Sequence, residues 1–259
     1  MSKELFSRNN IEILTSDFES LRIANNKSKL YDSLENTSVS IPKYRKVASA
    51  SMLLSAAIDI GYPENMVVIK PSSGNGSRGV RIIDETKDQF SLLFNEKPNS
   101  LYCRMDDYLE AIKGKKEIPE ILVSEYLPGK EVTVDALIKN GESLLELIRV
   151  REKMNSGIST GGSFIESEEI SEYISQIARN LPGLRGPIGF QFKQSKEGKY
   201  SLLESNPRLQ GTSVASLGLG YNFVEQALNI SLNKNVDLPN KRTGIGFRRY
   251  YDEIFYSIG

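Results

Sequence analysis

The stretch from Ile188 to Arg208 narrows the possible folds more than any other part of the chain. It reads as a β-hairpin, with one arm from Ile188 to Gln194 and the other from Tyr200 to Glu204. Glu197-Gly198 suits a two-residue turn. With that turn Lys196 faces Lys199, and the pairing continues until Gln191 faces Glu204. Side chains alternate along a strand, so Glu204 and Asn206 share a face. Phe190, Phe192, Leu202 and Leu203 mark both arms as buried. A carboxylate in so apolar a hairpin must be paired or bound to metal. Gln191, Glu204 and Asn206 offer hard oxygen donors with Arg208 just beyond, a set suited to Mg²⁺ and a phosphate. The alternative is a polar hairpin end facing water, which fits each residue singly better than all four together.

Composition removes much of the other chemistry. The 259 residues include no histidine and one cysteine, Cys103. Catalytic triads, Cys-His pairs, His-ligated zinc and multi-thiolate metal sites are therefore impossible within the chain. What remains is Lys, Arg, Asp, Glu, Tyr, backbone amides and oxygen-held metal, and phosphoryl chemistry runs on that list. Thirty-three Lys and Arg balance 33 Asp and Glu, against a dedicated nucleic-acid or membrane-surface binder. No apolar run is long enough to span a bilayer, and the start lacks a signal-peptide layout. A single cysteine fits a reducing cytoplasm.

Along the chain, Lys3 to Ser7 reads as a short helix and Ile11 to Leu14 as a strand. Leu21 to Leu34 and Val47 to Ile60 read as helices. Met66 to Pro71 and Val80 to Ile83 are strands, Thr86 to Asn95 and Asp106 to Lys113 helices, and Glu120 to Leu127 a strand. Asn140-Gly141 joins strands Glu131–Ile138 and Leu144–Arg151 in a hairpin. Residues 154–163 read as a flexible loop. Ile170, Tyr173, Ile174, Ile177, Ala178 and Leu181 keep helical spacing behind an N-cap at Ser167. Thr212 to Leu232 reads as helical, and the tail from Gly244 has no assignment. Antiparallel hairpins between helices define an α+β layered class, not a doubly wound parallel sheet.

Gly74-Asn75-Gly76-Ser77-Arg78-Gly79 matches G-x-G-x-x-G, but a strand follows it where a dinucleotide site needs a helix. The Walker ending Gly-Lys-Ser/Thr is absent, and Lys70 precedes the loop where a protein kinase's lysine follows. The stretch is a glycine-rich loop between antiparallel strands, with Lys70 at its entrance. Its bare backbone N–H groups can approach phosphate oxygens. The alternative is an ordinary surface hairpin loop.

Taken in order, Asn26-Lys27, Val67-Val68-Ile69-Lys70-Pro71 with the glycine loop, Val123 to Glu131, Gln191-Phe192 and Leu203 to Arg208 resemble the ATP-grasp superfamily, specifically its carbamoyl phosphate synthetase large-subunit-like branch. Asn26 stands where that family tends to have Asp. The resemblance covers residues 21–230. It implies an ATP-grasp fold, two α+β subdomains clasping ATP, with most of a preceding α/β domain missing. It divides the chain into a remnant of that domain (1–20), a linker and helix (21–45), a lid (46–125) and a core (126–259). It also implies roles. Lys27 and Lys70 contact the ATP phosphates, and the loop with Gly76 and Ser77 closes over them. Glu125, Tyr126 and Leu127 border the adenine, and Glu131 accepts from ribose hydroxyls. Gln191, Glu204 and Asn206 hold Mg²⁺ or Mn²⁺, and Arg208 stabilises the transferring phosphoryl group with Lys70. Arg149 and Arg151, sharing a strand face, form the acceptor-carboxylate site with Gly161; the alternative is an exposed basic strand.

The expected activity is ATP-dependent, ADP-forming ligation of a carboxylate or bicarbonate to an amine in the cytoplasm. Stand-alone action on a small carboxylate suits the length better than a whole carbamoyl phosphate synthetase. The alternatives are a non-catalytic ATP-binding module, or a fragment of a split enzyme. A lone strand at residues 11–14 cannot bury itself, so a partner chain or a homo-oligomer pairing through residues 1–20 is expected.

Overall fold

The computed structural model describes residues 3–74, 78–95, 100–115, 117–155 and 157–258. The chain opens with helix α1 (Lys3–Ser7), followed by α2 (Phe18–Ala24) and α3 (Lys27–Leu34). Residues 11–14 form no strand, so no exposed strand edge arises there. The residues that follow, Ser16 and Asp17, are tied to the loop before the site hairpin. The backbone N–H of Asp17 donates to Gly183 O at 3.0 Å, and Arg185 N donates to Ser16 Oγ at 2.9 Å. The single helix expected from Leu21 to Leu34 is broken at Asn25-Asn26. Asn26 is extended, bridges to Ser73, and caps α3 through its side-chain oxygen, which accepts from Lys29 N at 2.9 Å. The break plants Lys27 at the first turn of α3.

The first sheet has the order β1-β5-β2-β3-β4. Its strands are β1 (Tyr44–Val47), β2 (Val67–Pro71), β3 (Arg81–Ile83), β4 (Tyr102–Cys103) and β5 (Ile121–Glu125). All its pairs are antiparallel except β3 with β4. α4 (Leu53–Ile60) packs on it, preceded by a 3₁₀ turn at Ala50–Met52; the helix expected from Val47 is therefore half its length. Val47 instead ends β1, which carries one buried side chain in four and so leaves no alternation to read. Val47, Leu53, Ala57, Val67, Ile69, Ile83 and Val123 form the core of this layer. Because strands alternate, Val68, Lys70, Ile82 and Ser124 face the other way. α5 (Gln89–Phe94) and α6 (Met105–Ile112) complete this half.

The second sheet is antiparallel throughout, in the order β10-β9-β6-β7-β8-β11. Its strands are β6 (Glu131–Lys139), β7 (Glu142–Asn155), β8 (Ile158–Ile165), β9 (Gly186–Gln194), β10 (Tyr200–Asn206) and β11 (Gly246–Arg248). Asn140 and Gly141 both have positive φ, 53° and 77°, the turn that suits the twist of a two-residue hairpin. α7 (Glu168–Asn180) covers one face. Ser167 caps it, Glu168 and Glu169 sit in its first turn, and Ile170, Tyr173, Ile174 and Ile177 are buried. Val132, Val134, Ala136, Phe190 and Phe192 meet that helix in the main core.

Two glycine-rich stretches differ from their sequence reading. Residues 154–163 are mostly strand: β7 runs on to Asn155 and β8 returns beside it. Gly162 is there because a Cβ would overlap the carbonyl of Val150 at the β7 irregularity, with Phe247 packed above. Thr212 to Leu232 is not one helix. A 3₁₀ stretch, Ser213–Leu219, ends at Gly220 with φ 70°, and α8 (Phe223–Ser231) starts after it. Among the described residues no helix is long and apolar enough to cross a membrane.

Candidate functional site

A cleft of about 210 Å³ lies between the two sheets. The register of the second sheet builds its floor. Arg149 of β7 pairs with Thr133 of β6, Thr133 with Gln191 of β9, and Gln191 with Glu204 of β10. These four residues form one row across the sheet. The next row sets Asp135 beside Gly189, and Gly189 beside Asn206. Rows two residues apart share a face.

Gln191 does face Glu204, but the turn that delivers it is not the expected one. Gly198 N donates to Ser195 O and Ser195 N to Lys199 O, which makes a three-residue loop with Gly198 at φ 88°. Near the loop Tyr200 pairs with Gln194, one residue off the two-residue count. A bulge at Leu203, which has no partner across the ladder, restores the count before Glu204.

The oxygen donors converge. Asn206 Nδ2 donates to Glu204 Oε1 at 3.1 Å, and Arg208 Nη2 donates to Asn206 Oδ1 at 3.4 Å. Lys27 Nζ lies 3.0 Å from Glu204 Oε2 and donates to Gly74 O at 3.2 Å, so α3 meets the loop that follows β2. Lys70 reaches in from the opposite sheet. Lys70 is 6% exposed, and its ammonium donates to the Tyr31 hydroxyl at 3.0 Å. Burial, then the charge of Lys27, push the Lys70 ammonium down to about 7, with Glu204 acting the other way.

At the other end of the cleft β5 passes through Tyr126-Leu127 into β6. Val68, Ile82, Leu127, Met154 and Leu203 supply apolar walls, and Glu125 and Tyr126 lie at the rim. Glu125 Oε1 accepts from Lys43 N at 2.8 Å, and Lys193 Nζ sits 5.4 Å from the centre of the Tyr126 ring. A Cβ on Gly129 would come within 2.6 Å of Gln194 Cβ, so glycine there lets the connection between sheets lie against β9.

Glu131 lines the cleft, ion-paired to Arg151, which also donates to Gln191 Oε1 at 3.3 Å and to Ser159 Oγ at 3.0 Å. Arg149 lies elsewhere. It is 1% exposed, ion-paired to Asp135, bonded to Thr212 Oγ1 at 3.2 Å, and absent from the cleft lining. The exposed basic strand considered as the alternative is thus not formed either. Gly161 is also outside the lining; it pairs with Lys153 and Arg248. Gly76 and Ser77 lie outside the described residues.

Sequence reasoning missed Tyr31, Lys193, Asp135 and Gln210. Tyr31 had a signal: it follows Lys27 by four, which places both on one helix face. Gln210 had none, since its contact with Asp135 Oδ1 at 2.8 Å depends on where the loop after Arg208 folds.

This arrangement, two sheets with lysines from both sides facing an acid and two amides, is that of the ATP-grasp fold. Residues 117–251, more than half of the chain, match the family described as ATP-grasp in the biosynthetic pathway with Ter operon, and the chain belongs to that family. The fold is similar to a biotin carboxylase solved as its β-γ-ATP complex from Campylobacter jejuni. TM-score is 0.68 at 18% identity, over 91% of this chain and 52% of that one. It is similar to the biotin carboxylase domain of Hydrogenobacter thermophilus 2-oxoglutarate carboxylase, solved with MgADP, ADP and bicarbonate. There TM-score is 0.67 at 19% identity, over 94% and 53%. An L-amino acid ligase from Bacillus licheniformis matches at TM-score 0.59 and 17% identity, over 88% and 52%. The chain thus spans about half the length of these structures.

Proposed function

We propose that the protein is an ATP-dependent, ADP-forming ligase that activates a small carboxylate, or bicarbonate, as an acyl phosphate for attack by an amine. Family membership supports the class. The observation that carries the reading is the convergence of Lys27, Lys70, Gln191 and Glu204 on one cleft, with Asn206 hydrogen-bonded to Glu204 and Arg208 to Asn206.

The adenine lies between the apolar walls, against the backbone of Tyr126 and Leu127 and beside Glu125, and Glu131 takes the ribose hydroxyls once Arg151 yields it. Lys27 and Lys70 hold the phosphates from the two sides. Residues 46–125 act as the lid and 126–259 as the core. Closing the lid excludes water, which would hydrolyse an acyl phosphate.

The donor set fits a hard dication: one carboxylate and two amide oxygens, with Glu204 already balanced by a cation from Lys27. Among the described residues no cluster of three His, Cys, Asp or Glu occurs, so phosphate oxygens would complete the coordination. Gln191, Glu204 and Asn206 would hold Mg²⁺ or Mn²⁺, which supplies charge neutralisation at the phosphates when bound. Arg208, anchored through Asn206, faces the phosphoryl group in transit, and fixed cations there stabilise its developing charge. Arg151, which lines the cleft, borders the acceptor end by contact, while Arg149 and Gly161 lie outside the lining.

Mg²⁺-dependent ADP release in the presence of pooled carboxylates and amines tests this. Glu204→Ala is expected to lower the rate by more than roughly a hundredfold. The competing reading is a module that binds ATP but turns over only with a partner chain. ATP binding without ADP release from the purified chain, together with release after a co-purifying protein is added back, would select that reading. An absence of ATP binding rejects both.

A further inference from the structure

We infer that Tyr31 is a positioning residue that holds the phosphate-binding halves of the cleft in register. This rests on the proposed nucleotide site. Tyr31 is fully buried at the middle of α3, yet its hydroxyl is shared between the two sheets. It accepts from Lys70 Nζ at 3.0 Å on the β2 side, and it donates to Leu203 O at 2.8 Å on the β10 side. Lys70 Nζ also lies 5.2 Å from the centre of the Tyr31 ring.

The acceptor atom matters. Leu203 is the bulged residue, the one the ladder skips, and the bulge turns Glu204 and Asn206 onto the cleft face. The part-buried Leu203 carbonyl, outside the ladder, takes its donor from off the sheet, and the tyrosine hydroxyl supplies it. The same hydroxyl orients the ammonium of Lys70, a residue that lines the cleft and is 6% exposed. One side chain thus fixes the bulge that aims Glu204 and Asn206, and the lysine that faces them. Lys27, one helical turn before Tyr31, is ion-paired to Glu204, so α3 contributes a cation and the brace for a second. The ring itself is held edge-on by Tyr44, with centroids 5.1 Å apart.

The brace acts on phosphate binding; of the adenine walls it bonds only to the backbone carbonyl of Leu203. Tyr31→Phe keeps the ring and its packing on Tyr44 and removes only the shared hydroxyl. Calorimetric titration with adenosine, ADP and ATP, each with Mg²⁺, is expected to show ADP and ATP weakened tenfold or more, and adenosine within twofold of wild type. The double variant Tyr31→Phe/Lys70→Met is expected to lose less ATP affinity than the two single losses combined, because the hydroxyl acts in part through the lysine and in part through the Leu203 carbonyl. Retained adenosine binding also reports that the variant is folded. Equal weakening of adenosine and ATP, unchanged ATP binding, or additive losses in the double variant would each overturn the assignment. Failure of wild-type protein to bind ATP would instead reject the nucleotide site itself.

Discussion

Lys70 shows at the scale of one residue how binding competence opposes stability. Its ammonium is buried before any phosphate arrives, and an amine in that setting loses its proton at about 7 where an exposed lysine holds it to 10.5. Between those values the unfolded chain binds more protons than the folded one, so stability rises with pH from about 7 to 10.5 through this group. Below 7 the burial of the charge is felt in full. Lys70→Met is therefore expected to be more stable than wild type at pH 6.5, and to lose that advantage by about 1.4 kcal/mol per pH unit as the pH rises from 7 towards 9.5. Urea unfolding of both proteins at the two pH values measures it, and a gap that does not narrow would remove the buried charge as its cause. The lysine was legible in the sequence from its place before the glycine loop; its burial against Tyr31 was not, because α3 comes from another part of the chain.

At the scale of the element, the β9–β10 hairpin carries the site through two irregularities that compensate. The loop takes one residue more than a two-residue turn, and the bulge at Leu203 returns the strand to register. The apolar pattern predicted the arms, and the pairing of Gln191 with Glu204 was counted correctly from a turn that does not occur. Gly189 shows the same limit. A Cβ there would overlap Gln210, whose amide donates to Val134 O at 2.9 Å and to Asp135. Gly189→Ala is expected to lower stability by roughly 1–3 kcal/mol, the range for overpacking a filled site. It should also slow turnover by loosening the loop that bears Arg208. Chemical denaturation of the variant checks the first effect, and an unchanged midpoint would show that Gln210 moves aside freely. Elsewhere, Ser and Gly in residues 154–163 read as loop because composition alone does not tell flexibility from close backbone approach. β8 exists because β7 and β11 flank it.

For the whole molecule, the cleft joins two layers with separate cores, one around α4 and one around α7. A ligand that touches both layers binds the folded state alone. At a hundred times its dissociation constant such a ligand adds about 2.7 kcal/mol. For a chain of this length that raises the melting temperature by roughly 5–10 °C. Thermal unfolding with and without Mg²⁺-ATP tests this, and no shift at saturating nucleotide would contradict a site between the layers.

The sequence by itself determined the chemistry open to this protein and most of the parts. Without histidine, and with one cysteine, only oxygen ligands and fixed cations were left. The apolar periodicities marked β2, β6, β7, β9, β10 and α7, whose signals are local. The tertiary structure alone decided the break between α2 and α3, the strands β1, β8 and β11, the burial of Arg149, and the meeting of Tyr31 with Lys70 and Leu203. Each of these depends on backbone or polar groups finding partners far away in the chain, and no periodicity of neighbouring side chains encodes such a partner.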